Sequence, residues 1–244
     1  MFALQDISVP PAAGRQDRHR ISDCAREECR NAACTTDICP ILREVGKVRN
    51  FAKGDSMFWD GDDIDYLYII LSGVVRGSKV LSDGRRQICR FAFAGEVLEY
   101  CRRPHYPYTA EAITSVRVIA VPRYSLDRTM DHSPCVRRLL MRVVLDELQD
   151  ARDQALALGR LSATEKVAYF LHTLARHLDK DDDGAFVVPM SRLDMADYLG
   201  LTIETVSRVI SRLKRSGKIQ LPSSNRIAIN DLDEFAEDLL SDAA

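Results

Sequence analysis

The stretch Leu193–Ile219, LDMADYLGLTIETVSRVISRLKRSGKI, decides how the chain reads. Met195, Ala196 and Leu199 supply the apolar face of a short helix. Gly200 follows, where a tight turn between helices needs a residue without a Cβ. Thr202 suits the N-cap of the next helix. There Val206, Val209, Ile210 and Leu213 recur at i, i+3, i+4, i+7 and turn inward. The other face offers Glu204, Ser207, Arg208, Ser211 and Arg212, and Lys214, Arg215 and Lys218 gather at its end. This spacing predicts a helix-turn-helix. An Arg fork can grip guanine O6 and N7, a Glu can accept from cytosine N4, and a Ser can serve base or phosphate. The trailing cations suit phosphates. The competing reading is an amphipathic helix with a solvated charged face.

Charge is placed to match. Between Arg192 and Arg226 stand seven basic and three acidic residues, a local +4, although the 244-residue chain carries −2 overall. A near-neutral protein with one basic segment can still bind a polyanion through it. IQLPSSNRIAIN, which follows, predicts a small hairpin, or wing. Upstream, Ser162 and Glu165 form a capping box at the head of another helix.

Working back, Pro134 suits a helix start, and Val136–Leu158 predicts one long helix. Met141, Val144, Leu148, Ala151, Ala155 and Leu158 follow a 3, 4, 3, 4, 3 spacing. That is a heptad seam, and it predicts a parallel homodimer rather than packing on the chain's own β-domain.

Residues 49–122 predict short strands broken by glycines, as in an all-β roll. DYLYIILSGVV is apolar, aromatic and β-branched and predicts a strand that closes on Gly73, and Asp83-Gly84 marks a hairpin. After it Ile88, Arg90 and Ala92 alternate with Cys89, Phe91 and Phe93. TAEAITSVRVIAVP predicts a single strand ending at Pro122.

The N-terminus brings a different chemistry. Cys24, Cys29, Cys34 and Cys39 hold four of the seven cysteines at intervals of five. The start of the chain lacks a basic segment followed by an apolar one, and no apolar run approaches the ~20 residues of a membrane span. A cytoplasmic protein without membrane contact is expected, and reduced thiols there disfavour disulfides. Zinc and an iron–sulfur cluster both take four thiolates. Successive cysteines five apart diverge by about 140° on a helix, so only a looped segment aims all four at one point. No nucleophile–base pair or phosphate-binding glycine loop is visible, so an enzyme is not expected.

A glycine-punctuated β-roll, a long helix and a winged helix-turn-helix, in that order, resemble the CRP/FNR superfamily of bacterial transcription regulators over about residues 40–235. The resemblance implies an α+β chain with a cysteine-rich sensor segment (1–40) and a cyclic-nucleotide-binding-like β-roll (41–133). A dimerisation helix (134–160) and the winged helix-turn-helix (161–244) complete it. ETVSR matches the E-x-x-S-R motif of the FNR and FixK branches. It implies that Glu204, Ser207 and Arg208 read the TTGA half-site of a TTGAT-N4-ATCAA palindrome, with RNA polymerase as a partner.

The FNR branch holds an oxygen-labile [4Fe-4S] cluster with N-terminal cysteines and one from the β-roll. The resemblance thus implies Cys24, Cys29, Cys34 and Cys39 as ligands, with Cys101 or Cys89 as substitutes. Zinc is the alternative. Two departures stand out: the C-x4-C spacing, and Ile119 where the branch has its β-roll cysteine. The cyclic-nucleotide branch follows its Gly-Glu pair, here Gly95-Glu96, with an arginine for the phosphate. Tyr108 stands at that place, so no cyclic nucleotide is expected. The rival readings are a FixK-like regulator without a cluster, and a metal- or electron-carrying protein that binds no DNA.

Overall fold

The computed structural model describes residues 39–98, 100, 103–230 and 235. Two four-stranded antiparallel sheets form a roll. The first has the order β1 (Lys47–Phe51), β8 (Val116–Pro122), β3 (Tyr66–Ser72), β6 (Val97–Leu98). The second runs β2 (Ser56–Phe58), β7 (Thr109–Ala112), β4 (Val75–Val80), β5 (Arg86–Ala92). The alternation of β3 and β8 explains the layers. Tyr68, Ile70, Val116, Val118 and Ala120 point into the roll. Leu67, Ile69, Ile119 and Val121 point out, against the helices.

Those helices are α1 (Pro40–Val45), α2 (Arg123–His132) and the front of α3 (Pro134–Arg160). Leu42, Leu126, Val136, Leu139 and Leu140 cover the outer face of the first sheet. α1 and α2 escape a periodicity reading because each buries one residue, Leu42 and Leu126. α3 matches the expected long helix, with Ser133 as its N-cap.

A third core joins the outer face of the second sheet to the C-terminal half. Ile88, Phe91 and Phe93 pack with Phe170, Leu171, Met195, Val206 and Ile210. This half comprises α4 (Ala163–His177), β9 (Ala185–Val187), α5 (Arg192–Leu199), α6 (Ile203–Arg215), β10 (Ile219–Ser223) and β11 (Arg226–Ile229). The last two strands make the expected wing hairpin, and β9 extends it to three strands.

Two strand readings need correction. TAEAITSVRVIAVP is not one strand: β7 ends at Ala112 and β8 begins at Val116. The turn between them approaches Gly73 so closely that a Cβ there would lie 2.3 Å from the Ser115 carbonyl oxygen. The alternation along β5 also breaks. Gly77 faces Arg90 but Ser78 faces Ile88, which leaves Cys89 as the extra residue of a β-bulge. Ile88 therefore joins Phe91 in the outer core instead of alternating with it.

Candidate DNA-binding interface

The turn between α5 and α6 is built locally. Ser191 and Asp194 form a capping box at the start of α5, and Gly200 ends it in the left-handed region at φ 63°. The Thr202 side chain accepts from the Thr205 N–H and caps α6. Val206, Val209, Ile210 and Leu213 are buried, so the helix is pinned along one side.

The other side is open. Glu204, Arg208, Ser211, Arg212 and Lys214 are exposed, and Ser207 is half-buried. The backbone N–H of Glu204 and the Thr202 hydroxyl hold its carboxyl below the ordinary glutamate range, so it is a ready acceptor. Arg208 reaches the Thr205 hydroxyl at 3.3 Å, one turn back. Ser211 donates to the Ser207 carbonyl at 2.8 Å, and Arg212 to the Thr164 hydroxyl of α4 at 3.2 Å. Thus Glu204, Ser207 and Arg208 share the N-terminal turns of α6, while Arg212 is drawn toward α4. Arg192, not read as a site residue, lies beside the wing, where it donates to the Ser224 carbonyl at 3.4 Å.

On α3, Met141, Leu148, Ala151 and Ala155 are exposed, and Val144 and Leu158 are half-buried. Leu145 and Leu156 are also exposed, at 56% and 46%, so the apolar stripe is broader than the a/d seam. A strict heptad reading misses them.

The candidate ligands fare unevenly. Cys24, Cys29, Cys34 and Cys101 lie outside the described residues. Cys39 is 0% exposed, packed among Leu42, Leu67, Ile119 and Val136. Burial pushes its thiol above the ordinary range, with backbone hydrogen bonds from Leu42 and Ile41 opposing. Cys89 is the exposed bulge residue on the second sheet. No group of three or more His, Cys, Asp or Glu among the described residues could hold a metal ion.

Inside the roll, aromatic rings fill the space. Phe58 stacks on Tyr106 at 3.7 Å, with Tyr108 at 5.6 Å and Tyr68 at 6.0 Å from it. Tyr108 lies against Gly77, whose Cβ would come within 2.9 Å of the ring. Glu96 turns to the C-terminal half, 3.2 Å from His177 Nε2 and 3.6 Å from Arg90. Burial works against its charge, but His177 and Arg90 outweigh it and hold the carboxyl below its ordinary range.

Comparison with known proteins fits this architecture. Residues 48–133 match the cyclic nucleotide-binding domain model and 165–237 the Crp-like helix-turn-helix domain model. The transcriptional activator protein FnrL of Cereibacter sphaeroides is 31% identical over 232 residues, spanning 92% of this chain and 94% of FnrL. The chain belongs to the CRP/FNR family. Within its FNR/FixK branch, the nitrogen fixation regulation protein FixK of Bradyrhizobium diazoefficiens is 38% identical over 208 residues, covering 83% of this chain and 87% of FixK. The structure of FixK2 from Bradyrhizobium japonicum superposes with a TM-score of 0.75 at 36% identity, over 79% of this chain and 96% of that one. As a CRP/FNR protein of this branch, the chain is a DNA-binding transcription regulator and not an enzyme. No helix among the described residues is long and apolar enough to cross a membrane.

Proposed function

We propose that the protein is a cytoplasmic, homodimeric regulator that reads a TTGAT-N4-ATCAA-like palindrome and recruits RNA polymerase. The observation that carries this reading is the open N-terminal face of α6, where Glu204, Ser207 and Arg208 stand together on a helix pinned from behind. The exposed stripe of Met141, Leu145, Leu148 and Leu156 supports pairing through α3, because a second copy would cover it. Two copies would then present their α6 helices to half-sites about one DNA turn apart. Arg208→Ala removes a guanine fork. It is expected to weaken binding to the palindrome by about 1–3 kcal/mol per half-site and to leave binding to unrelated duplex nearly unchanged. Fluorescence anisotropy on the two duplexes decides it; equal losses on both would remove Arg208 from base reading.

For the signal, the N-terminal cysteines are the responsive element in the reading that favours oxygen or redox control. The described residues fit a [4Fe-4S] cluster poorly. Cys39 is a buried core thiol, and its neighbour Ile119 occupies the place of the branch's β-roll cysteine. A four-thiolate set then falls to Cys24, Cys29, Cys34 and Cys101. A FixK-like regulator with zinc or free thiols in this segment is favoured by the same two residues and by the FixK2 likeness. Iron and sulfide analysis with an absorption spectrum of anaerobically purified protein separates them. A brown, oxygen-bleached chromophore supports the cluster. Colourless, iron-free protein supports the FixK-like form.

A further inference from the structure

The outer face of the second sheet carries charges that DNA contact does not explain. Arg76 on β4 pairs across the sheet with Phe91 on β5 and Glu111 on β7, so all three share one face. Strict alternation would turn Arg86, five residues before Phe91, to the opposite face. The bulge at Cys89 shifts the phase and brings Arg86 onto the face of Phe91.

Both guanidiniums then converge on one carboxylate of α5. Arg76 Nη1 donates to Asp194 Oδ1 at 2.5 Å, and Arg86 Nη2 donates to the same oxygen at 2.8 Å. Arg86 Nε reaches Asp197 Oδ2, and Gln87 Nε2 the Asp197 carbonyl, each at 2.8 Å. The other oxygen, Asp194 Oδ2, accepts from the Ser191 N–H at 3.0 Å and from its hydroxyl at 2.8 Å. The Asp194 side chain is only 8% exposed. Burial raises its pKa, but Ser191, Arg76 and Arg86 outweigh that and hold it below the usual carboxylate range.

We propose that Asp194, gripped by Arg76 and Arg86, is the positioning residue through which the roll sets the placement of the DNA-reading helix. The proposal rests on α6 being that helix. α6 packs on α5 through Met195, Ala196 and Leu199, so an anchored α5 anchors α6. With this latch closed, Glu204, Arg208 and Ser211 remain exposed, and the proposal takes the latched arrangement as the one that reads DNA. A change in the roll that moves β4 and β5 pulls on the cap of α5 directly.

The test uses the full chain with Arg76→Gln, Arg86→Gln and Asp194→Asn, singly and together. Anisotropy measures affinity for the TTGAT-N4-ATCAA duplex and an unrelated duplex, and scanning calorimetry follows unfolding. Each single change is expected to weaken binding to the palindrome at least tenfold. The triple variant is expected to lose clearly less than the sum of the single losses, because the three meet at the Asp194 carboxylate. The wild type is expected to unfold in one calorimetric transition, which is expected to split in these variants as the roll and the C-terminal half uncouple. Arg85→Gln, at the exposed hairpin tip, is expected to change neither. Losses that add, or a lower melting temperature in one transition at unchanged affinity, overturn the proposal and leave Asp194 a structural residue. A wild-type chain that does not prefer the palindrome refutes the half-site assignment alone, and the calorimetric splitting then decides the latch.

Discussion

The two faces of the second sheet invite comparison, because one pair of strands serves both. Toward the roll interior, Val75 and Ala92 meet a stack of Phe58, Tyr106 and Tyr108. Toward the C-terminal half, Arg76, Arg86 and Phe91 meet Asp194, Asp197 and the Phe170–Tyr198 pair. The interior is the side on which the roll encloses space, and here that space is packed with rings. The exterior carries the directional bonds. Apolar packing tolerates small rearrangements, whereas a carboxylate shared by two guanidiniums and a helix cap has one good geometry. In this member of the family, the face that can transmit position is the outer one.

The comparison is broken most severely from outside. Asp194→Ala removes the carboxylate that Arg76 and Arg86 share, leaving Arg76 with Glu111 and Arg86 with Asp197, and opens the cap of α5. Each charge-assisted hydrogen bond lost costs about 1.5–3 kcal/mol, and a lost cap about 1 more. Urea unfolding should show the full drop in midpoint. Asp194→Asn, which keeps an acceptor for Ser191, should lose less.

From inside, Phe58→Ala removes the ring at the centre of the stack. The expected loss is about 3–5 kcal/mol, the usual range for a buried phenylalanine. It differs from the outer variant in kind: the folded fraction should bind DNA with wild-type affinity, since the rings belong to the core inside the roll and α5 and α6 to another. A Phe58→Ala protein that stays folded but binds weakly would show that the interior, too, sets the reading helix.

Acid separates the faces more gently. Asp194 and Glu96 both have carboxyls held below their ordinary range in the folded chain. Each contributes stability that is fully present above the unfolded value, near pH 4, and is lost as pH falls through the lower folded value. The melting temperature of the wild type should therefore fall below about pH 4. Its advantage over Asp194→Asn should shrink over that window and be constant from pH 5 to 7. An advantage unchanged at pH 3 would mean that the aspartate's charge is not what the arginines hold.

The contrast also marks what could be read in advance. α5, its turn and α6 were legible because every signal is local: a capping residue, a glycine and an apolar repeat within two dozen residues. The latch was not, because Arg76 and Asp194 are 118 residues apart and Arg86 and Asp194 are 108 apart. The one-residue bulge at Cys89, which aims Arg86, leaves no mark in a pattern of alternating residues. β3 was legible as an apolar, β-branched run and β8 as the end of one longer strand, whereas the break between β7 and β8 depends on how the turn meets Gly73. On Cys39, spacing suggested a ligand, and burial among Leu42, Leu67 and Ile119 places it in a core. Even intervals along the chain say nothing about which cysteine the core takes.

The smallest effect expected is none at all, and it sharpens the account of the interior. Cyclic AMP entering the roll would have to displace Phe58, Tyr106 and Tyr108, and would find a phenol where its phosphate needs a guanidinium. Tyr108 cannot yield easily: its ring lies against the bare backbone of Gly77 on one side and near Phe58 on the other. Among the described residues Arg90 interacts with Tyr108, and it is held by Glu147 at 2.6 Å and by Glu96 at 3.6 Å. Its guanidinium is therefore already neutralised. A ligand present at a hundred times its dissociation constant stabilises the folded state by about 2.7 kcal/mol, a shift of several degrees that is easily seen. Millimolar cyclic AMP should leave the melting temperature where it was. A rise of several degrees would show that the stack opens, and the contrast between a filled inner face and a transmitting outer face would then have to be withdrawn.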